Sequence, residues 1–313
     1  MFNRVGDYGL PIDFIIHRRF AAMAPFSLQN SYAESALEKK FNHTRYGLKP
    51  KHRVLNAHPT VNDALPNRIL NGTVRIKPNI KRFGEWSVEF DDGTVEENID
   101  NVVLATGYKI GFSMIDRTVL NVENNQVSLY KYVFPPNMQH PTLAVIGLVQ
   151  PWGAINPIAE LQCRWATRVF SGLCHLPSRD MMWEDIIRKK NDMKKRYVKS
   201  VRHTIQVDWI AFMDETASEF GAKPDLLKLL FNDPGLALCC FFGPCYPYQY
   251  RIMGPGKWDG AREAIYTAWD RVEAPTMTRK VPDSVEESSF KVAALLKLFI
   301  VFAIVVAIVL RFI

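Results

Sequence analysis

Hydrophobic and polar residues change rhythm several times along the chain, and each rhythm predicts an element. Residues 27–41, SLQNSYAESALEKKF, carry apolar positions at helical spacing and predict an amphipathic helix inside the mixed, polar stretch 26–53. The turn formers of PTVNDALP, residues 59–66, predict a loop. A β region follows. Residues 73–76 read as a short strand, then Trp86, Val88 and Phe90 alternate with polar neighbours up to Asp92-Gly93, a dipeptide that closes tight hairpins. Thr94 and Val95 begin the return strand. Residues 102–107, VVLATG, form a short apolar run ending in small residues, the pattern of a buried parallel strand whose carboxyl end lets a ligand approach the backbone. Residues 142–147, TLAVIG, repeat that pattern.

The second glycine leads into a loop, 148–155, and then a helix with Asn156 as its N-cap and Pro157 as its first residue. Leu161, Trp165, Val169 and Phe170 recur at near-helical spacing until Gly172 stops it. Strand, glycine turn and helix make half a unit of an α/β sheet, where ligands sit at the carboxyl ends of strands. Beyond Ser178 the chain turns helical and basic, with Arg188, Lys189, Lys190, Lys194, Lys195, Arg196, Lys199 and Arg202 between Ile187 and His203. LALCCFF, residues 236–242, is too short to cross a bilayer and is either core or a membrane-dipping surface. Residues 279–289 read as a polar linker. Residues 292–310 are apolar except for Lys297, and as a helix they span roughly 28 Å, close to a bilayer core, so a membrane anchor is expected there. Lys291 and Lys297 would snorkel to one headgroup layer and Arg311 would meet the other. The alternatives are a monotopic insertion or a buried core helix, since the uninterrupted part, 298–310, reaches only about 20 Å.

Composition narrows the class. At 313 residues and 48% hydrophobic content the chain can fill about two domain cores and is not a disordered protein. Its net charge of +7 suits anionic cofactors, anionic lipid or nucleic acid without choosing among them. The basic run 187–203 reads first as a solvated helix face, second as a contact for anionic lipid beside an anchored body, and only third as a nucleic-acid surface, which the anchor disfavours. Five cysteines without regular spacing argue against a secreted disulfide scaffold, and the first residues lack the form of a signal peptide.

Few motifs carry chemistry. The string 254–260, GPGKWDG, has the wrong spacing for a phosphate-binding loop. Cys239, Cys240 and Cys245 form no C-x-x-C pair, no H-E-x-x-H is present, and metal binding is not expected; the cysteines read as buried free thiols. No G-x-S-x-G elbow marks a nucleophile, and the catalytic residues are unknown. Asn42-His43-Thr44 and Asn71-Gly72-Thr73 match the glycosylation sequon, which has meaning only if the body faces a secretory lumen. The two strand-end glycine sites are the best candidates. Ala105, Thr106 and Gly107 would let a flat or phosphorylated ligand lie against backbone, with the Thr106 hydroxyl as a donor; the competing reading is that the glycines only permit close packing.

These residues bear a family resemblance. Residues 103–108, VLATGY, resemble the F-A-T-G-Y signature of flavin-containing monooxygenases, and ordered blocks of the same likeness cover residues 61–83, 144–172, 196–210, 243–262 and the hydrophobic tail. The resemblance implies an α/β flavoprotein of paired dinucleotide-binding (FAD/NADP) folds with a helical C-terminal region and a C-terminal transmembrane helix, held in the endoplasmic reticulum membrane with its body in the cytosol. It implies FAD, NADPH and O2 as reactants. One oxygen atom would pass from a flavin C4a-hydroperoxide to a soft nitrogen or sulfur nucleophile, while the protein positions groups and excludes water. Carried over by motif, Ala105, Thr106, Gly107 and Tyr108 would lie where the chain passes between the two nucleotide domains, and Gly147, Gln150, Gly153 and Ala154 would face the flavin.

The expected divisions are 1–100 as the remainder of the NADPH domain with a helical insertion and hairpin, 101–177 as the return into the FAD domain, 178–289 as the helical basic region and linker, and 290–313 as the anchor. Both glycine-rich nucleotide fingerprints of the family are absent, and RVGDYGLPID, residues 4–13, resembles the segment just past the second. The paired fold is therefore expected to be incomplete, with unpaired backbone and apolar surface where its first strands belong. This chain alone is expected to bind FAD poorly and to be inactive. The alternative is a non-catalytic, membrane-anchored remnant that binds a full-length relative.

Overall fold

The computed structural model describes residues 2–201 and 203–279, and the expected anchor at 292–310 lies outside them. The chain forms two compact units, Met1–Tyr266 and Thr267–Ile313. The first opens with α1 (Ile12–Ile16), α2 (Arg19–Ala22), α3 (Phe26–Lys40) and α4 (Leu65–Leu70). An antiparallel sheet of β1 (Ile80–Phe83), β2 (Ser87–Phe90) and β3 (Val95–Glu97) follows, then the short hairpin β4 (Val122–Glu123) and β5 (Gln126–Val127). Next come β6 (Gln150–Pro151), α5 (Ile155–Phe170), α6 (Arg179–Arg196), β7 (Gln206–Val207), α7 (Trp209–Ser218), α8 (Leu226–Asn232), α9 (Pro234–Phe242) and α10 (Ala261–Tyr266). The described part of the second unit holds α11 (Ala268–Glu273).

Several expectations hold because local physics decides them. The helix expected at 27–41 is α3, one residue earlier at each end. The Asp92-Gly93 hairpin joins β2 to β3, with the Gly93 amide donating to Phe90 O at 2.9 Å and Gly93 at φ +79°, a conformation glycine adopts without strain. In α5 the buried residues are Ile158, Leu161, Gln162, Trp165, Ala166 and Val169, a single face at three- and four-residue steps. Gly172 ends it at φ +70°, its amide on Val169 O and that of Leu173 on Arg168 O, the paired bonds of a Schellman cap. Ser178 caps α6 by accepting from the Met181 amide. In α9, Leu236, Ala237 and Cys240 are buried, so LALCCFF contributes core.

Other expectations fail. Residues 73–76 are not a strand; the first strand of the sheet is β1, seven residues on. The α5 helix starts at Ile155 after Ala154, so Asn156 is not its cap and Pro157 is its third residue. The parallel strand expected at 102–107 does not form: Val103 is 87% and Leu104 76% exposed, and the Ala105 amide turns back onto Val103 O at 3.2 Å. A strand exists only with a neighbour to take its backbone groups, and among the described residues none lies beside this run. The second run, 142–147, is half-covered, with Thr142 and Ile146 exposed, and forms no ladder. Ala144 packs on the main core and Val145 on a satellite cluster around Leu120, Val127 and Leu129, while the Val145 amide donates to Val133 O at 2.9 Å. Parallel pairing among the described residues is limited to the two-residue ladder of β6 on β7 and an isolated bridge between Phe2 and Val61. The architecture is mixed α/β.

The main core gathers Phe134, Ile158, Leu161, Trp165, Met213 and Tyr250, all under 2% exposed, between α5, α7 and the segment 130–134. Phe134 meets the Trp165 ring edge to face at 4.9 Å between centroids, which adds about 1 kcal/mol beyond burial. No described helix is long and apolar enough to cross a membrane.

Candidate functional site

Of the eight residues singled out, four lie on one loop that the core holds in place. Gly147 sits at φ +76° with its amide donating 2.8 Å to Oε1 of Gln162, a fully buried amide on the apolar face of α5. Gln150 opens β6, donates its amide to Ile205 O at 2.7 Å, and lies 3.2 Å through Oε1 from Nδ1 of His203. Gly153, at φ +144°, has no room for a side chain: a Cβ there would lie 2.6 Å from Cδ1 of Trp209 and 2.9 Å from Cε1 of His17. The Ala154 carbonyl accepts from the Trp209 indole at 2.8 Å. His17 stacks on Trp209 at 5.2 Å, and burial pushes its pKa below the ordinary histidine value, so the ring is neutral at physiological pH.

The other four residues are not brought onto that loop. Ala105, Thr106, Gly107 and Tyr108 are exposed, Tyr108 at 96%, and Gly107 at φ +85° has open space around it. One hydrogen-bond relay ties their end of the chain toward the loop: the Asn125 amide nitrogen donates to both Tyr108 O (3.1 Å) and Val201 O (3.0 Å), two residues before His203.

Sequence reasoning missed the supports: His17, Asn125, Gln162, His203 and Trp209. Gln162 had a legible signal, because a glutamine inside an apolar helical stripe must find a partner. The others come from distant parts of the chain and carry no local pattern. The loop's surroundings also hold unpartnered polar atoms: Gln162 Nε2, both ends of the buried Gln206 amide in β7, and Nδ1 of His58, whose ring stacks 6.1 Å from His203.

As a seat for a dinucleotide the described residues do not fit by themselves. Such a seat needs backbone amides at a helix N-terminus, reached through a glycine turn at the end of a paired strand. Here Trp209 and His17 fill the space at Gly153, the strand end at 105–108 has no paired strand behind it, and the unpartnered atoms of Gln162 and Gln206 are sealed from solvent. The GPGKWDG turn is no substitute. Arg164 and Arg251 donate to the carbonyls of Pro255 (2.7 Å) and Gly256 (2.9 Å), and a Cβ on Gly254 would strike the Gly221 backbone. Two of the thiols are held protonated: burial pushes Cys240 up to about 12 and Cys245 up to about 11. Among the described residues no group of three or more His, Cys, Asp or Glu could hold a metal ion.

Comparison with known proteins gives a consistent result. A family model described as Flavin-binding monooxygenase-like matches residues 1–313. The human protein named Flavin-containing monooxygenase 5 is 49% identical over 312 residues, covering 98% of this chain and 58% of its own length. Dimethylaniline monooxygenase [N-oxide-forming] 2 of Macaca mulatta is 45% identical over 311 residues, again covering 98% of this chain and 58% of its own. A solved structure, S-allyl-L-cysteine S-oxygenase from Allium sativum, matches at 26% identity and a TM-score of 0.42 over 61% of this chain and 43% of its own. The chain therefore spans between 54% and 58% of the length of the curated relatives it matches.

Proposed function

Because this chain belongs to the flavin-binding monooxygenase-like family, whose enzymes use FAD and NADPH, we propose that its residues serve NADPH- and O2-dependent oxygenation of a soft nitrogen or sulfur nucleophile. We propose with it that the 313 residues alone neither hold FAD well nor turn over. One relative's name states N-oxide formation on dimethylaniline, a tertiary amine, which supports the nucleophile class. In this reading the chain is an incomplete pair of FAD/NADP-binding folds. The loop of Gly147, Gln150, Gly153 and Ala154 is the better-organised part of the flavin side, and 102–108 is the waiting crossover between the nucleotide domains. When bound, the flavin supplies the redox chemistry. This chain's part is to present a rigid loop, its tightest turn locked by Trp209 and His17. The anchor expected at 292–310 would hold the body against lipid, on the cytosolic face of the endoplasmic reticulum membrane.

The observation that carries the inactivity is the exposure of Val103 and Leu104, where a nucleotide fold would bury a paired strand. The same observation favours a second reading, a non-catalytic membrane-anchored remnant that pairs with a full-length relative, since an unpaired apolar run is a template for another strand. The test is the visible spectrum of the detergent-purified chain mixed with FAD, then with NADPH under anaerobic conditions. The expected result is a protein that retains no flavin and shows no bleaching in complex. A stoichiometric flavin spectrum that NADPH bleaches would overturn the inactivity. Co-purification with a full-length relative, lost when Val103 and Leu104 are both changed to Lys, would support the remnant.

A further inference from the structure

The basic run that reads in sequence as a solvated helix face closes over a cleft. On α6, Ile186 and Met193 share a face with Lys189, Lys190 and Lys194 at three- and four-residue steps, and the C-cap residue Tyr197 follows them. That face forms one wall of a cleft of about 380 Å3, a volume that takes a small ligand. β5 and the segment 199–204 line it as well, Lys199, Ser200 and His203 among them. The floor is apolar, with Leu129, Ile186 and Tyr132 all under 9% exposed.

The rim is cationic and short of counter-charge. Among the described residues no carboxylate lines the cleft. Lys189 is neutralised by Asp185 (3.1 Å) and Glu215 (2.7 Å), whereas among the described residues the Lys190 ammonium is hydrogen-bonded to the Ser128 hydroxyl, at 2.8 Å, and Lys194 and Lys199 stand exposed. Burial and the neighbouring Lys194 hold the Lys190 pKa below its ordinary value, which an anion in the cleft would reverse. An apolar floor under unneutralised lysines recognises a molecule with an apolar body and an anionic head.

From this geometry we propose that the cleft between α6 and β5 binds a single-chain anionic amphiphile, an alkyl phosphate or alkyl carboxylate, with its head on Lys190, Lys194 and Lys199 and its chain on Leu129, Ile186 and Met193. The site owes nothing to a flavin, so it stands or falls separately from the oxygenase reading.

The test uses the full chain in a non-ionic amphipol and titrates octyl phosphate, inorganic phosphate and octyl glucoside by calorimetry. Octyl phosphate should bind one to one, and both controls at least about tenfold more weakly, because each supplies only half of the recognition. Lys194→Glu with Lys199→Glu should weaken octyl phosphate by about tenfold or more, while Lys195→Glu, an exposed lysine of the same helix outside the cleft, leaves it unchanged. All three positions are exposed, so the fold tolerates the changes. Displacement of octyl phosphate by vesicles containing anionic lipid would identify a bilayer lipid as the source, and its persistence a free amphiphile; both agree with the proposal. It is overturned if octyl phosphate does not bind, if inorganic phosphate or octyl glucoside binds as tightly, or if Lys195→Glu weakens binding as much as the double change.

Discussion

Gly153 has no side chain because Trp209 and His17 already fill the space where one would go. Gly147, six residues earlier, also has positive φ but opens onto nothing. The two glycines therefore answer differently to the same substitution. Gly153→Ala should cost about 2–4 kcal/mol, from overpacking against two rings plus backbone strain, whereas Gly147→Ala should cost about 1 kcal/mol, from its left-handed φ alone. Urea unfolding of the two variants checks this, and equal losses would mean that packing against the rings is not what selects glycine at 153. The sequence marks both glycines as candidate ligand contacts and cannot separate them, because the rings that distinguish them lie about 55 residues downstream and over 130 upstream.

At the scale of elements, α2 is only four residues long and too short to persist alone. Phe20 packs on Phe242 of α9, and the one buried side chain of the helix ties it to the core. Arg19, 7% exposed, donates to Asp214 Oδ2 on α7 (2.6 Å), to Gln249 Oε1 (3.0 Å) and to the Tyr250 hydroxyl (3.1 Å), while Tyr250 donates to Asp214 Oδ1 at 2.6 Å. Arg19→Met should cost about 2–4 kcal/mol, because the largely buried Asp214 carboxylate is left with the Tyr250 hydroxyl and a Lys223 ammonium 3.8 Å away, and adding Asp214→Leu should recover part of the loss. A chemical-denaturation midpoint unmoved by Arg19→Met would overturn this account. Elements with their own period, such as α3, α5 and the β2–β3 hairpin, were legible because hydrogen bonds within or next to the segment complete them. The runs 102–107 and 142–147 have strand composition, yet strand formation depends on a neighbour the local sequence does not encode.

For the whole molecule, three histidines of lowered pKa make the fold sensitive to acid. Burial lowers the pKa of His17 and of the buried His43, and burial together with the nearby His203 lowers that of His58, from an ordinary value of 6.5. The unfolded chain takes up these protons first, so their contribution to stability is full above about pH 6.5 and is lost as pH falls toward the lower folded values. The thermal midpoint should therefore drop between about pH 8 and pH 5.5, and His17→Phe, which keeps a ring against Trp209, should flatten part of that slope. An unchanged midpoint across this range would refute the assignment. What the sequence by itself determined was the set of locally closed elements, the expected apolar tail and the ordered blocks of family likeness, since each is written in consecutive residues. Tertiary structure alone decided which glycines are packed and which are open, where the lysines of α6 point, and whether an apolar run becomes a strand. Those outcomes depend on side chains and backbone groups that meet from distant parts of the chain.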